Sequence, residues 1–143
     1  MTTAQSNQII KYPVLFFVGG LVYYLIEILY RGFSHPSMFV LGGICFILCG
    51  LINELYSWDT PLIAQQGICA IIITVLEFVF GVVLNLILKL NVWDYSALPF
   101  NILGQVCLPF MVIWFFLSLA AILLDDYMRY FIWNEEKPRY KLF

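Results

Sequence analysis

Four apolar runs, at roughly 12–30, 37–56, 66–88 and 102–124, constrain this chain more than any other feature. Each is close to the ~20 residues of helix needed to cross a bilayer core about 30 Å thick. Their interiors do not alternate apolar with polar residues, which sets aside barrel strands and leaves the α-helix. The connections at 31–36, 57–65 and 89–101 are short, so successive helices are expected to run antiparallel. The expected fold is all-α: an integral membrane bundle of four transmembrane helices, forming a single membrane domain over residues 1–143. Composition agrees, because only 11% of residues are charged and 63% are hydrophobic, against about 25% charged in a soluble domain. A net charge of −2 supplies no basic field for nucleic acid.

An even number of spans puts both termini on one side with loop 57–65. That side carries Lys11, Arg129, Lys137, Arg139 and Lys141, and the other carries Arg31 and Lys89. Lys and Arg favour the cytoplasmic side, which predicts a multi-pass protein of the cell membrane with both termini cytoplasmic. Residues 125–143 are expected to form a short cytoplasmic tail. Its Tyr127, Tyr130, Phe131 and Trp133 suit the membrane interface, and Pro138 limits helix beyond Glu136. The start, "MTTAQSNQII", lacks the basic cluster of a secretory signal, so the first run reads as a retained helix. Cys45, Cys49, Cys69 and Cys107 all fall in apolar runs with no Cys-x-x-Cys spacing. They read as small buried hydrophobes, and no metal or other cofactor is expected.

Polar residues inside the spans carry the remaining information, because a charge at a helix centre costs about 2.5–3.5 kcal/mol on insertion scales. Glu77 stands near the middle of the third run, and Gly81 and Asn85 follow on the same helical face. Gly81 would let another helix approach. The bland reading of Glu77 is a protonated carboxyl hydrogen-bonded to a neighbouring helix, since burial favours the neutral form. The sharper readings are a proton or cation relay, or a contact to a polar ligand. Glu27 and Arg31 have the favoured order for an i,i+4 ion pair, and share a face with Gly20 and Tyr24. They either pin the helix end or leave Arg31 for an anionic group such as lipid phosphate. In the second run Gly42, Cys49 and Asn53 share a face beside Gly43, Gly50 and Glu54, a pattern of close helix packing. Ser34 or Ser37 is expected to cap that helix near Pro36, and His35, the only histidine, either titrates at the outer face or is passive.

The stretch "NVWDYSALPFNILGQ", residues 91–105, is polar and aromatic but almost uncharged. Trp93 and Tyr95 suit headgroup depth, and Asp94 or Ser96 is suited to cap a short turn. Asn101 and Gln105 are expected on one face of the fourth helix, with a kink where Pro109 removes the donor for the Gln105 carbonyl. The segment reads as a partly inserted lid, because irregular backbone at membrane depth must pack against protein or line a cavity. The candidate polar site therefore comprises Glu27, Arg31, His35, Glu77, Asn85, Asp94, Tyr95, Asn101 and Gln105, with no catalytic residue assigned.

The stretches "YRGFSHPSMFVLGG", "GLINE", "VLEF" and above all "WDYSALPFNILGQVCLPF", followed by Trp114 and the tail "EEKPRYKLF", resemble a bacterial membrane family of ABC-transporter permeases, type IV. That family has distant animal transmembrane relatives, and the similarity covers nearly the whole chain. The resemblance implies a multi-helix membrane protein with a role in transport, and the residues that match its motif are Trp93, Asp94, Tyr95, Ser96, Pro99, Asn101 and Gly104. It brings no substrate or catalytic residue. The chain has no G-x-x-x-x-G-K-[ST] phosphate loop, so ATP-driven transport would need a separate ATP-binding subunit. Four helices leave little room for a private channel, which points to a homo-oligomer or a membrane complex. The alternative is a non-transporting membrane interaction or lipid-binding protein. An intramembrane enzyme using Glu27, Arg31, His35 and Asp94 ranks third, since neither a nucleophile–base spacing nor H-E-x-x-H occurs.

Overall fold

The computed structural model describes the backbone of residues 3–143 and the side chains of residues 7–143 other than Asn53. Helices account for most of it: α1 (Thr3–Arg31), α2 (Pro36–Gly50), α3 (Ile52–Leu55), α4 (Leu62–Gly81) and α5 (Leu108–Trp133), with α4 widening into a π-helical turn over Val82–Ile87. No strand forms among the described residues; there are only isolated bridges, Pro61 with Lys141 and Ile102 with Val106. The all-α expectation holds. Three helices, Asn7–Arg31, Leu62–Ile87 and Leu108–Trp133, are long and apolar enough to cross a membrane. The second apolar helix is shorter, at 15 residues, or about 22 Å at 1.5 Å per residue.

The helix pair α1 and α2 is joined by aromatic side chains seated on glycine. A Cβ on Gly42 would lie 2.6 Å from the Tyr23 Cβ, and one on Gly43 would lie 2.7 Å from the Phe16 ring. The small residues of the second run thus serve the close packing that their spacing suggests, although Asn53 lies outside the described side chains. Two buried apolar clusters hold the bundle. One groups Met38, Leu41 and Cys45 with Val92 and Trp93; the other groups Cys49, Ile52, Leu62, Cys69 and Ile122. All four thiols are buried and free. Large apolar side chains such as Phe17, Val75, Val79 and Phe116 stay on the outer surface, as a lipid-facing bundle requires.

Several boundaries differ from the sequence reading. The fourth helix does not occupy 102–124: residues 102–107 are non-helical, and the helix runs Leu108–Trp133. Leu103 and Gly104 take positive φ values of 54° and 73°, which no helix continues through. Pro109 then falls in the first turn of α5 rather than at a kink, because a first-turn residue has no helical acceptor for an N–H to lose. The helix ends at Asn134, in the left-handed conformation at φ 54° and ψ 36°, a position asparagine tolerates.

Residues 125–143 are accordingly not a separate tail. Asp125, Asp126 and Arg129 are buried on α5. The Arg129 Nε donates to Asp125 at 2.8 Å, its Nη1 donates to Glu54 at 3.1 Å, and Lys11 donates to Glu135 at 2.5 Å. The final stretch folds back on the bundle: the Tyr140 hydroxyl donates to Asp126 at 2.7 Å, and the Lys141 carbonyl accepts from the Leu62 N–H at 2.6 Å. That N–H opens α4 and would otherwise lack a partner. The start of α1 and the C-terminal strap therefore meet at one end of the bundle.

Candidate functional site

The opposite end is built from the ends of α1 and α4 and the loop between α4 and α5. The π turn and the positive φ of Lys89 and Asn91 turn the chain back over α4. Asn85 fixes that reversal twice, accepting from the Val92 N–H at 2.7 Å and donating to Gln105 Oε1 at 2.8 Å. Trp93 is buried against the bundle and donates its indole N–H to the Gln105 carbonyl at 3.0 Å. Both side chains rest on Gly81: a Cβ there would lie 2.6 Å from Gln105 Oε1 and 3.1 Å from the Trp93 ring. The sequence reading had a neighbouring helix approach Gly81; the loop does so instead.

The rest of the signature string shapes the loop from within. Asp94 Oδ1 accepts from the Ser96 N–H at 2.9 Å, the cap expected from sequence, and that N–H holds the Asp94 carboxyl below its ordinary range. Asn101 donates to the Leu98 carbonyl at 2.9 Å and accepts from the Gly104 N–H at 3.1 Å. Tyr95 N–H reaches the Gly104 carbonyl at 2.7 Å. Asn101 and Gln105 consequently lie on the loop and share no helical face, because the backbone from 102 to 107 never enters α5.

Glu77 is the centre of the arrangement. It is 3% exposed on α4 and carries one hydrogen bond on each oxygen: Tyr95 Oη donates to Oε1 at 2.7 Å, and Trp114 Nε1 donates to Oε2 at 2.6 Å. Donors on both oxygens suit the acceptor-only carboxylate. Burial, and then the Glu77 charge, push the Tyr95 hydroxyl above the ordinary tyrosine range, so it remains a donor. Aromatic packing holds both donors, with Tyr95 stacked on Phe110 at 4.5 Å and Phe110 against Trp114 at 5.9 Å. None of the ion pairs among the described residues includes Glu77.

Glu27 and Arg31 form the pair that their spacing suggested, at 2.5 Å, and Arg31 also donates to the Val92 carbonyl at 2.9 Å. The hydroxyl that reaches Glu27 is that of Tyr23, at 3.1 Å. Arg31 is thus committed to the loop instead of standing free. His35 caps α2, its Nδ1 accepting from the Ser37 N–H at 3.2 Å. Glu27, Arg31, Asn85 and Gln105 join through the loop backbone, and Glu77 joins Tyr95. The hydrogen bonds of His35, Asp94 and Asn101 are local, to partners two to five residues away.

Sequence reasoning missed Trp114, the second donor to Glu77, and Tyr23, which stands 5.9 Å from the Trp114 ring. A buried indole N–H needs a partner, so Trp114 signalled some acceptor, but 37 residues of separation hid which one. It also missed the charged end, where Lys11, Asp125 and Arg129 are all buried. Among the described residues, no group of three or more His, Cys, Asp or Glu side chains stands ready for a metal ion. No curated protein and no solved structure matches the chain. The family model described as "Putative ABC-transporter type IV" matches residues 10–139, nearly the full length, and the chain belongs to that family.

Proposed function

We propose that this chain is the membrane-embedded permease component of a transporter, acting as a homo-oligomer or in a membrane complex with a separate ATP-binding subunit. The observation that carries the reading is a buried carboxylate, Glu77, held by a loop donor and a helix donor inside an apolar bundle. A charged group in such a place is costly, and such residues mark functional sites. The 91–105 segment acts as a lid over it, since Tyr95 belongs to the lid and its hydroxyl reaches Glu77. Glu27, Arg31, His35, Asn85, Asp94, Asn101 and Gln105 complete the polar layer. The lid side faces outward, and both termini face the cytoplasm with the Lys11–Arg129 cluster, in keeping with the bias of basic residues. A lipid-binding role through Arg31 gains less support, because its Nη1 and Nη2 are already engaged by Val92 and Glu27.

The test is flux in reconstituted vesicles of wild type against Glu77→Gln, with assembly checked by elution profile. Flux is expected to fall at least tenfold in the variant. Unchanged flux removes Glu77 from the mechanism. Purification in mild detergent is expected to retain an ATP-binding protein; its absence under conditions that preserve transport removes that partner.

A further inference from the structure

Beside the Glu77 carboxylate lies a cavity of about 140 Å³ walled by α1, α2, α4 and α5. Val22 and Ile26 of α1 and Leu124 of α5 line it, yet keep 40%, 37% and 38% of their surface exposed. The cavity therefore reaches the outer surface of the bundle along the α1–α5 seam, where lipid would lie. Its walls are apolar apart from a few polar side chains, and Glu77 is the one charged residue among those lining it. The Tyr23 and Trp114 rings also line it, tilted at 51° to each other beside the carboxylate.

Three features select the occupant. A carboxylate out of water needs either a proton or a compensating positive charge, and Glu77 has two neutral donors and no ion pair among the described residues. A small metal ion is a poor fit, since Ca²⁺ or Mg²⁺ takes about six or more oxygens and the walls offer one carboxylate. Aromatic faces next to a carboxylate suit an organic ammonium, which gains from both. The size agrees too: an engineered apolar cavity of about 150 Å³ takes up benzene.

We infer that the α1–α5 cleft binds an organic ammonium, whose aryl or short alkyl body enters from the lipid side and whose nitrogen meets Glu77. The inference rests on the transporter reading and names its substrate class. Trp114 and Tyr95 hold the carboxylate in place, and the small side chain of Ala121 leaves space for the apolar body.

Binding of labelled phenethylamine, protonated at neutral pH, to the full chain in phosphatidylcholine nanodiscs tests this, with empty nanodiscs as blank and 2-phenylethanol as the neutral counterpart. The expected result is saturable binding of the amine, at least tenfold tighter than the alcohol. Glu77→Gln is expected to erase that preference. Ala121→Trp, which fills the cleft and keeps Glu77 itself, is expected to weaken both compounds at least tenfold and serves if Glu77→Gln fails to assemble. Absence of saturable amine binding, equal affinity for amine and alcohol, a preference that survives Glu77→Gln, or affinities that Ala121→Trp leaves unchanged overturn the inference. Binding without flux overturns the transporter reading and leaves the site. Flux of another solute without amine binding does the reverse.

Discussion

Trp114 of α5 donates its indole N–H to the Glu77 carboxylate of α4 at 2.6 Å, tying two long helices together inside the bundle. The same carboxylate takes the Tyr95 hydroxyl, so a single side chain joins α4, α5 and the loop between them. Trp114→Phe keeps an aromatic ring against Phe110 and Tyr23 but deletes the donor. A hydrogen bond to a charged group contributes about 1.5–3 kcal/mol, so stability in mixed micelles titrated with denaturing detergent should fall by that much. A loss within about 0.5 kcal/mol, the range of ordinary surface changes, would show that the bond does not stabilise the fold.

Gly81→Ala should force the loop off α4, because the new methyl would lie 2.6 Å from Gln105 Oε1 and 2.8 Å from its Cβ. Overpacking of this kind costs about 1–3 kcal/mol. Gly67→Ala on the same helix meets nothing within 4 Å and should be neutral or stabilising by up to about 1 kcal/mol through helix propensity. Melting curves of the two variants should move in opposite directions, or only the first should move. Equal losses would refute the packing account.

At the other end, Arg129→Ala leaves Asp125, 0% exposed, without its ion pair. Breaking a buried pair from one side costs about 3–5 kcal/mol. The double variant Asp125→Ala/Arg129→Ala should cost clearly less than the sum of the two singles. Additive costs would mean that the two charges do not depend on each other.

Burial, followed by the hydrogen bond to Asp126, raises the Tyr140 hydroxyl above its ordinary range. A raised folded value means the neutral form is favoured by folding. Its stabilising contribution is therefore complete below the free tyrosine value of about 10 and is lost as pH climbs through the folded value. The stability gap between wild type and Tyr140→Phe should stay constant up to about pH 10 and narrow above it. A gap that does not change with pH would detach Tyr140 from any such dependence.

The extent to which sequence predicts this molecule can be followed residue by residue. Glu27 and Arg31 were legible as a pair because a helix brings i and i+4 together wherever it forms. Asp94 was legible as a cap, since its partner Ser96 is two residues away. Glu77 was legible as an anomaly, a carboxyl in the middle of an apolar run. The end of the loop was not: apolar 102–107 looks helical by composition, yet Leu103 and Gly104 take positive φ values and Gly104 bonds to Asn101 and Tyr95 of the loop.

By itself, the sequence determined the class of molecule, the approximate helices and the local pairs, because hydropathy and helical spacing act over a few neighbouring residues. Only the tertiary structure decided what meets Glu77, where Gln105 goes, and that Lys11 and Arg129 share Glu135 while Asp125 is enclosed beside them. Those partners stand up to 124 residues apart, and a contact at that distance is set by which helix faces pack together. In an almost uniformly apolar chain, that choice rests on shape, on glycine against aromatic ring, more than on any polar pattern that can be read along a line.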